Sequence, residues 1–422
     1  MLVLGFILMG VIVLVLIKPY GLNEGVIAFG GVISAYLLGY VKIKSFFTVF
    51  NLTANATGAL IGIMLIALIL EDAGFFGYWA LKIISYKPLT SEAILLIFSL
   101  LASTAAVFFN NDGSILIITP LAYYILKHLG VPDKNTLLFL FAVGFMADIG
   151  SLPLMVSNLV NILTADFFGL NFRTYLKLLL FPGIIGILTG TLVIYFTFRS
   201  KISKIMVENH LPAPEEQVQD WFLVKLGEIF LVFLLLWYAF SHYWQLPVSL
   251  GNLLVAGLMV FAAAVRKRPV KTNLQRAPWG VILFASSMYL LVQSYYLSGG
   301  ALFLEDILEK VFSISQKFGL FATGVLSAIL AAVINNLPAT LLMNLTVKGV
   351  GGIGVPVQEL AKVNVIGNCI GPKLTPIGSL ATMLWLDILK NKGLVFPLRS
   401  YLKYSFLLTI PVLFATLITA IF

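Results

Sequence analysis

The chain has 422 residues, of which 60% are hydrophobic and only 11% charged, with a net charge of +9. Soluble domains carry about 25% charged residues, so this composition excludes a soluble globular protein, and apolar runs near 20 residues mark helices that span a membrane. A transmembrane β-barrel is excluded because its strands would alternate, and the single cysteine, Cys369, excludes an intramolecular disulfide framework and a multi-thiolate metal cage.

In chain order, Met1–Ile17 carries no basic leader and no small-residue cleavage site, so it reads as a first span rather than a signal peptide. Further spans are expected at about 25–41, 47–70, 136–166 and 174–198, then at 221–240, 247–265, 279–297, 360–388 and 401–422. The polar stretch Arg199–Asp220, with Pro212 and Pro214, reads as a cytoplasmic linker between two halves, 1–198 and 221–422. Each half repeats one order: two plain spans, a third span and a short amphipathic stretch (about 77–90 and 300–317). An apolar segment broken by Asn-Asn follows (about 93–128 and 319–350), then a span broken by Gly and Pro (about 136–166 and 360–388), then a last plain span. The Asn-Asn breaks are Asn110-Asn111 in "FFNNDGS" and Asn335-Asn336 in "INNLPAT". The Gly/Pro breaks are "ADIGSLPLMVSN", Ala147–Asn158, and "GPKLTPIGSLAT", Gly371–Thr382. Paired interruptions at matching positions of two halves are the best sequence pointer to a transporter's binding site.

Reading each Asn-Asn segment as a re-entrant hairpin leaves five crossings per half, so the halves run inverted relative to one another. With both termini outside, the cytoplasmic loops hold 17 Lys and Arg and the outer loops 8, with Lys225 and Lys373 inside segments. That is the direction the positive-inside rule requires, and it accounts for the net positive charge without nucleic acid as a partner. The expected architecture is an all-α polytopic membrane protein. It has about ten spans in two inverted repeats, each with a re-entrant helical hairpin and a broken helix.

Breaking a helix at membrane depth frees backbone groups that each cost several kcal/mol if left dry. Asn and Ser side chains satisfy them, and Gly and Pro permit the turn. On that reading alone the breaks simply hold hairpin tips together. Asp112, Asp148 and Lys373 are the only charges within the four interruptions, and a charge at the bilayer centre costs at least about 2.5–3.5 kcal/mol. Two readings stay open: a structural ion pair locking the halves, or a substrate and proton site in which a buried carboxylate carries a proton.

Glu71 and Asp72 fall at an interface and Asp166 beside a loop, while His128, His210 and His242 sit at span ends or in loops. A histidine relay inside the membrane is therefore not expected. Cys369 reads as a small core residue, and Gly186 with Gly190 as a helix-packing pair. The chain has no P-loop, no G-x-S-x-G, no H-E-x-x-H and no Cys/His cluster. It reads as a transporter rather than an enzyme, without cofactor or bound metal, drawing on an ion gradient or a partner ATPase.

"FFNNDGSILIITP", "GFMADIGSLPLMVSNLVNILTADFFGLNFRTY" and "NVIGNCIGPKLTPIGSLATMLWL" closely resemble the arsenite efflux permeases of ArsB type. So do "NATGALIGIMLIALILEDAGFFGYWAL" at Asn55–Leu81 and "RAPWGVILFASSMYLLV" at Arg276–Val292. The likeness runs over nearly the whole chain and is weakest at the linker. It implies export of trivalent arsenite and antimonite from the cytoplasm across a bacterial inner membrane, driven by proton influx. In some systems of this family a soluble arsenite-stimulated ATPase joins the permease. Family members can carry an acidic residue where Cys369 stands here, which turns attention for proton coupling to Asp112 and Asp148, with Lys373 as counter-charge.

Arsenous acid is a small, mainly neutral trihydroxide near pH 7, suited to groups that both donate and accept hydrogen bonds. The expected substrate contacts are Asn110, Asn111, Gly113, Ser151 and Asn158 from the first half, and Asn335, Asn336, Thr340, Ser379 and Thr382 from the second. The nearest alternative is another substrate on the same scaffold, as in a sodium/proton antiporter or an exporter of silicic acid or another oxyanion. A non-transporting receptor or a passive channel is the more distant one.

Overall fold

Continuous apolar runs must satisfy their backbone groups within the segment, and every regular element among the described residues is helical. The computed structural model describes residues 1–85, 90–202, 211–350 and 354–422, without the side chains of Ile43, Lys44, Ser45 and Thr48. Lys87, Lys204 and His210, the end of the 77–90 stretch and the middle of the linker therefore lie outside the described residues, as does the Lys44 side chain.

The first half contains α1 (Leu2–Ile17), α2 (Glu24–Leu37), α3 (Ile43–Ala73), the short α4 (Phe75–Ile84), α5 (Ser91–His128), α6 (Asp133–Gly150), α7 (Leu159–Phe167) and α8 (Phe172–Phe198). The second contains α9 (Trp221–Phe240), α10 (Val248–Val265), the short α11 (Val270–Arg276), α12 (Gly280–Tyr295), α13 (Leu302–Ile314), α14 (Gln316–Ile334), α15 (Asn336–Gly349), α16 (Val357–Ile370), α17 (Leu380–Asn391) and α18 (Leu398–Ile421). Many helix starts are written as capping residues: Asn23, Thr90, Asn171, Asp220 and Ser315 each accept a hydrogen bond from a first-turn N–H. Eight helices among the described residues are long and apolar enough to cross a membrane, while α1 and α2 are apolar but shorter. Large apolar side chains such as Phe6, Phe196, Ile229 and Phe261 stand exposed on the outer helices, as a lipid-facing surface requires.

The two Asn-Asn segments turn back on themselves. Within α5, Phe109 and Asn110 leave the helical region, and Ser114 Oγ donates to the Ala102 carbonyl at 2.7 Å. Twelve residues along a straight helix would separate those atoms by about 18 Å, so the arms lie side by side. In the second hairpin Ser327 of α14 and Asn344 of α15, on opposite sides of the tip, both bond the side chain of Asn364.

Both tips are strained in the same way. Asn110 has φ 64° and ψ 169°, Asn335 φ 76° and ψ 150°, a region nearly reserved for glycine that costs of order 1–3 kcal/mol. Asparagine holds it because its own amide closes the turn: Asn110 Oδ1 accepts from Gly113 N at 2.7 Å and Asn335 Oδ1 from Leu337 N at 3.3 Å. Asn110→Gly relieves the strain and loses the cap, so its stability in detergent should stay within about 1 kcal/mol of wild type. Asn110→Val keeps the strain and loses the cap, and should cost about 2 kcal/mol or more by the same unfolding measurement.

The Gly/Pro breaks also match. The α6 helix ends at Gly150 and α7 restarts after its cap Asn158; α16 gives way to the turn Gly371–Leu374, and α17 restarts after its cap Ser379. A Cβ on Gly150 would lie 2.5 Å from Ser103 Cα, and one on Gly371 2.3 Å from Ala328 Cα. Ser103 and Ala328 stand at the same offset before Asn110 and Asn335, and Asn158 and Ser379 at the same offset after Gly150 and Gly371. Each broken helix thus rests on the first arm of its own hairpin through the same contact, and the same register sets Asp148 opposite Cys369.

Candidate functional site

The site is built where these four breaks meet. Asp148 sits in the last turn of α6, 2% exposed, because the following glycine lets that turn run flush against α5. Reversal of the chain at Asn110 brings Asn111 onto Asp148, and its Nδ2 donates to Oδ1 at 2.7 Å. Asp148 Oδ2 takes no hydrogen bond of ordinary angle, but Lys373 Nζ lies 2.8 Å from it, so its partner is ionic. Lys373 comes from the turn after α16, so the pair joins the first half to the second. Its ammonium also donates to Thr382 Oγ1 on α17 at 2.9 Å.

Both charged side chains are at most 4% exposed. Desolvating two ions costs several kcal/mol each, and their attraction offsets this only with good geometry and further hydrogen bonds. Asn111 and Thr382 supply those bonds. Tyr401 of α18 steadies the Lys373 turn through longer contacts of 3.4 Å to the carbonyls of Lys373 and Thr375. A cavity of about 10 Å³, room for one water, adjoins Lys373 and Thr382 and is walled by Phe141, Phe145, Trp385 and Tyr401.

The remaining candidates fall in distinct places. Ser151 Oγ donates to the Asp148 carbonyl at 2.7 Å, and Asn158 Nδ2 donates to Ser151 Oγ at 3.1 Å, so both belong to the Asp148 turn. The second tip joins the other break: Asn335 Nδ2 donates to the Ile377 carbonyl at 3.2 Å and Asn336 N to the Gly378 carbonyl at 2.8 Å. Ser379 caps α17. Gly113 serves the first tip through its N–H. Thr340 is buried, with its hydroxyl unpartnered among the described residues. Asp112 is half-buried and makes no hydrogen bond or ion pair with any described residue, so it stands beside the Asp148–Lys373 pair rather than in it.

Several polar residues join the site that single-residue reading passes over. Asn161 Nδ2 donates to the Ser151 carbonyl at 2.8 Å, and its Oδ1 receives Cys369 Sγ at 3.0 Å. A second chain runs from Thr164 through Asn344 and Asn364 to Asn368 and ties α7, α15 and α16 together. At its end Asn368 Oδ1 is buried and unpartnered among the described residues. The signal was present in the spacing: Asn158 with Asn161, and Asn364 with Asn368, are amides three and four apart, which places each pair on one helix face.

The family model for "Arsenical pump membrane protein" matches residues 3–422. An arsenical pump membrane protein of Escherichia coli is 36% identical over 419 residues, covering 99% of this chain and 97% of that one. A putative arsenical pump membrane protein of Bacillus subtilis is 26% identical over 410 residues, covering 93% and 92%. Among solved structures, the YdaH transporter of Alcanivorax borkumensis superposes with a TM-score of 0.62 over 91% of this chain and 87% of that one. At 12% identity it shares the fold alone. Whole-chain coverage by the family model and by relatives named as membrane pumps makes this chain a transporter, a multi-pass member of the arsenical pump membrane protein family.

Proposed function

We propose that the protein exports trivalent arsenite and antimonite from the cytoplasm in exchange for protons. It does so across the inner membrane, with both termini outside, by alternating access around the Asp148–Lys373 pair. The observation that carries this reading is the pair itself: two charges buried where a hairpin tip and two broken helices of opposite halves converge. The names of the relatives support the arsenical substrate.

The chemistry is coherent. A neutral trihydroxide needs partners that donate and accept, and the amides of Asn111, Asn158 and Asn336 with the hydroxyls of Ser151, Thr340, Ser379 and Thr382 supply both. One cysteine cannot build a thiolate cage, so binding stays weak enough for release. A proton arriving on Asp148 neutralises it, weakens its hold on Lys373, and frees both side chains for the substrate hydroxyls. Asp112, with no hydrogen-bond or ion-pair partner among the described residues, is the second candidate carrier. A cavity of about 10 Å³ is too small for arsenous acid, so substrate entry requires the helices around it to part, a motion that alternating access supplies. An ion gradient suffices in this reading, with a soluble ATPase as an accessory.

In a host without arsenite exporters of its own, the wild-type chain should confer arsenite resistance that a protonophore abolishes. Cys369→Ser should preserve it, because the thiol bonds Asn161 and Ser151 and a hydroxyl can do the same. Full resistance from the double variant Asp112→Asn/Asp148→Asn would remove the proton role from both carboxylates. Resistance to sodium rather than arsenite would keep the architecture and change the substrate.

A further inference from the structure

Away from the central site, α6 begins, α8 ends and α18 begins around a cleft of about 540 Å³. Its floor is apolar, from Leu137, Leu138, Phe396 and Tyr404, and Lys134 and Lys201 line it. Lys201 is held there by aromatic rings, its Nζ 4.8 Å from the centroid of Tyr404 and 5.7 Å from that of Phe198. Partial burial lowers the pKa of Lys201, and the neighbouring Lys403 ammonium lowers it further.

Neither Lys134, Lys201 nor Lys403 has a carboxylate partner among the described residues; the adjacent Asp133 is engaged by Lys127. Cations gathered without a counter-charge repel one another and gain when an anion settles among them. The surroundings indicate which anion. Val395 at the cleft and Leu398 just beyond it are 75% and 61% exposed, as apolar residues are where helix ends meet acyl chains. Basic pockets between helices at a membrane surface bind acidic headgroups.

We propose that this cleft seats the phosphate of an anionic glycerophospholipid, with Lys134 and Lys201 on the phosphate and the acyl chains along Val395 and Leu398. It is independent of the transport site and does not rest on the assigned substrate.

Native mass spectrometry of the full chain in neutral detergent tests it. Phosphatidylglycerol, phosphatidylethanolamine and glycerol 3-phosphate are titrated against wild type, Lys134→Gln/Lys201→Gln and Lys134→Arg/Lys201→Arg. Wild type should retain phosphatidylglycerol over phosphatidylethanolamine. The Gln variant should lose roughly thirtyfold in affinity for phosphatidylglycerol, about five- to sixfold for each of the two charges removed, while the Arg variant keeps it. Equal retention of both lipids, or an unchanged Gln variant, overturns the proposal. Glycerol 3-phosphate binding as well as phosphatidylglycerol also overturns it, by moving the ligand to a soluble phosphate.

Discussion

Asp148→Asn should reduce arsenite export to background and destabilise the protein at the same time. Removing one partner of a buried ion pair leaves the other charge uncompensated, at a cost of about 3–5 kcal/mol, and Lys373 is left facing Thr382 and a neutral amide. Loss of export alone would therefore not separate a structural lock from a transport site. The double variant Asp148→Asn/Lys373→Met does. Replacing both members of a buried pair with neutral groups of similar size is often neutral or stabilising. Its melting temperature in detergent should return close to that of wild type while export stays absent. A double variant that is stable and exports arsenite would make the pair a lock and nothing more.

The second large effect lies at the glycines beneath the breaks. In Gly371→Ala the new methyl would meet Ala328 Cα at 2.3 Å and its carbonyl oxygen at 2.4 Å; in Gly150→Ala it would meet the Ser103 Cα at 2.5 Å and carbonyl oxygen at 2.6 Å. Overpacking costs about 1–3 kcal/mol, and backbone atoms cannot rotate out of the way, so both variants belong at the upper end. Gly371→Ala should also lower export, because pushing the turn off α14 carries Lys373 away from Asp148. Gly257→Ala on α10, whose methyl meets nothing within 4 Å, is the control and should melt as wild type. Unchanged melting of Gly150→Ala and Gly371→Ala would contradict the close seating of the broken helices on their hairpins.

The legible part of the fold was whatever leaves a mark in apolar patterning. Uninterrupted runs such as α3 and α8, and the two Asn-Asn turns, show in the sequence because a polar or helix-breaking residue at membrane depth has few explanations. Asp148 and Lys373 stood out for the same reason: each is a lone charge inside an apolar break. The site itself was less legible. Which of Asn110, Asn111 and Asp112 reaches Asp148 depends on the positive φ at Asn110, which redirects the chain so that Asn111 makes the bond. Asp112, the more conspicuous residue in sequence, is left beside the pair. The bonds from Asn344 to Thr164 and from Cys369 to Asn161 join segments 180 and 208 residues apart in the chain, and no local pattern names those partners.

The most direct test of the central claim is radiolabelled arsenite uptake into inside-out vesicles containing this protein, with an acid-inside pH gradient and no ATP. Uptake that collapses with a protonophore, and that is absent from stable Asp148→Asn/Lys373→Met vesicles, is the predicted result. Uptake that ignores the gradient, or persists in that double variant, would contradict proton-coupled export through the Asp148–Lys373 site.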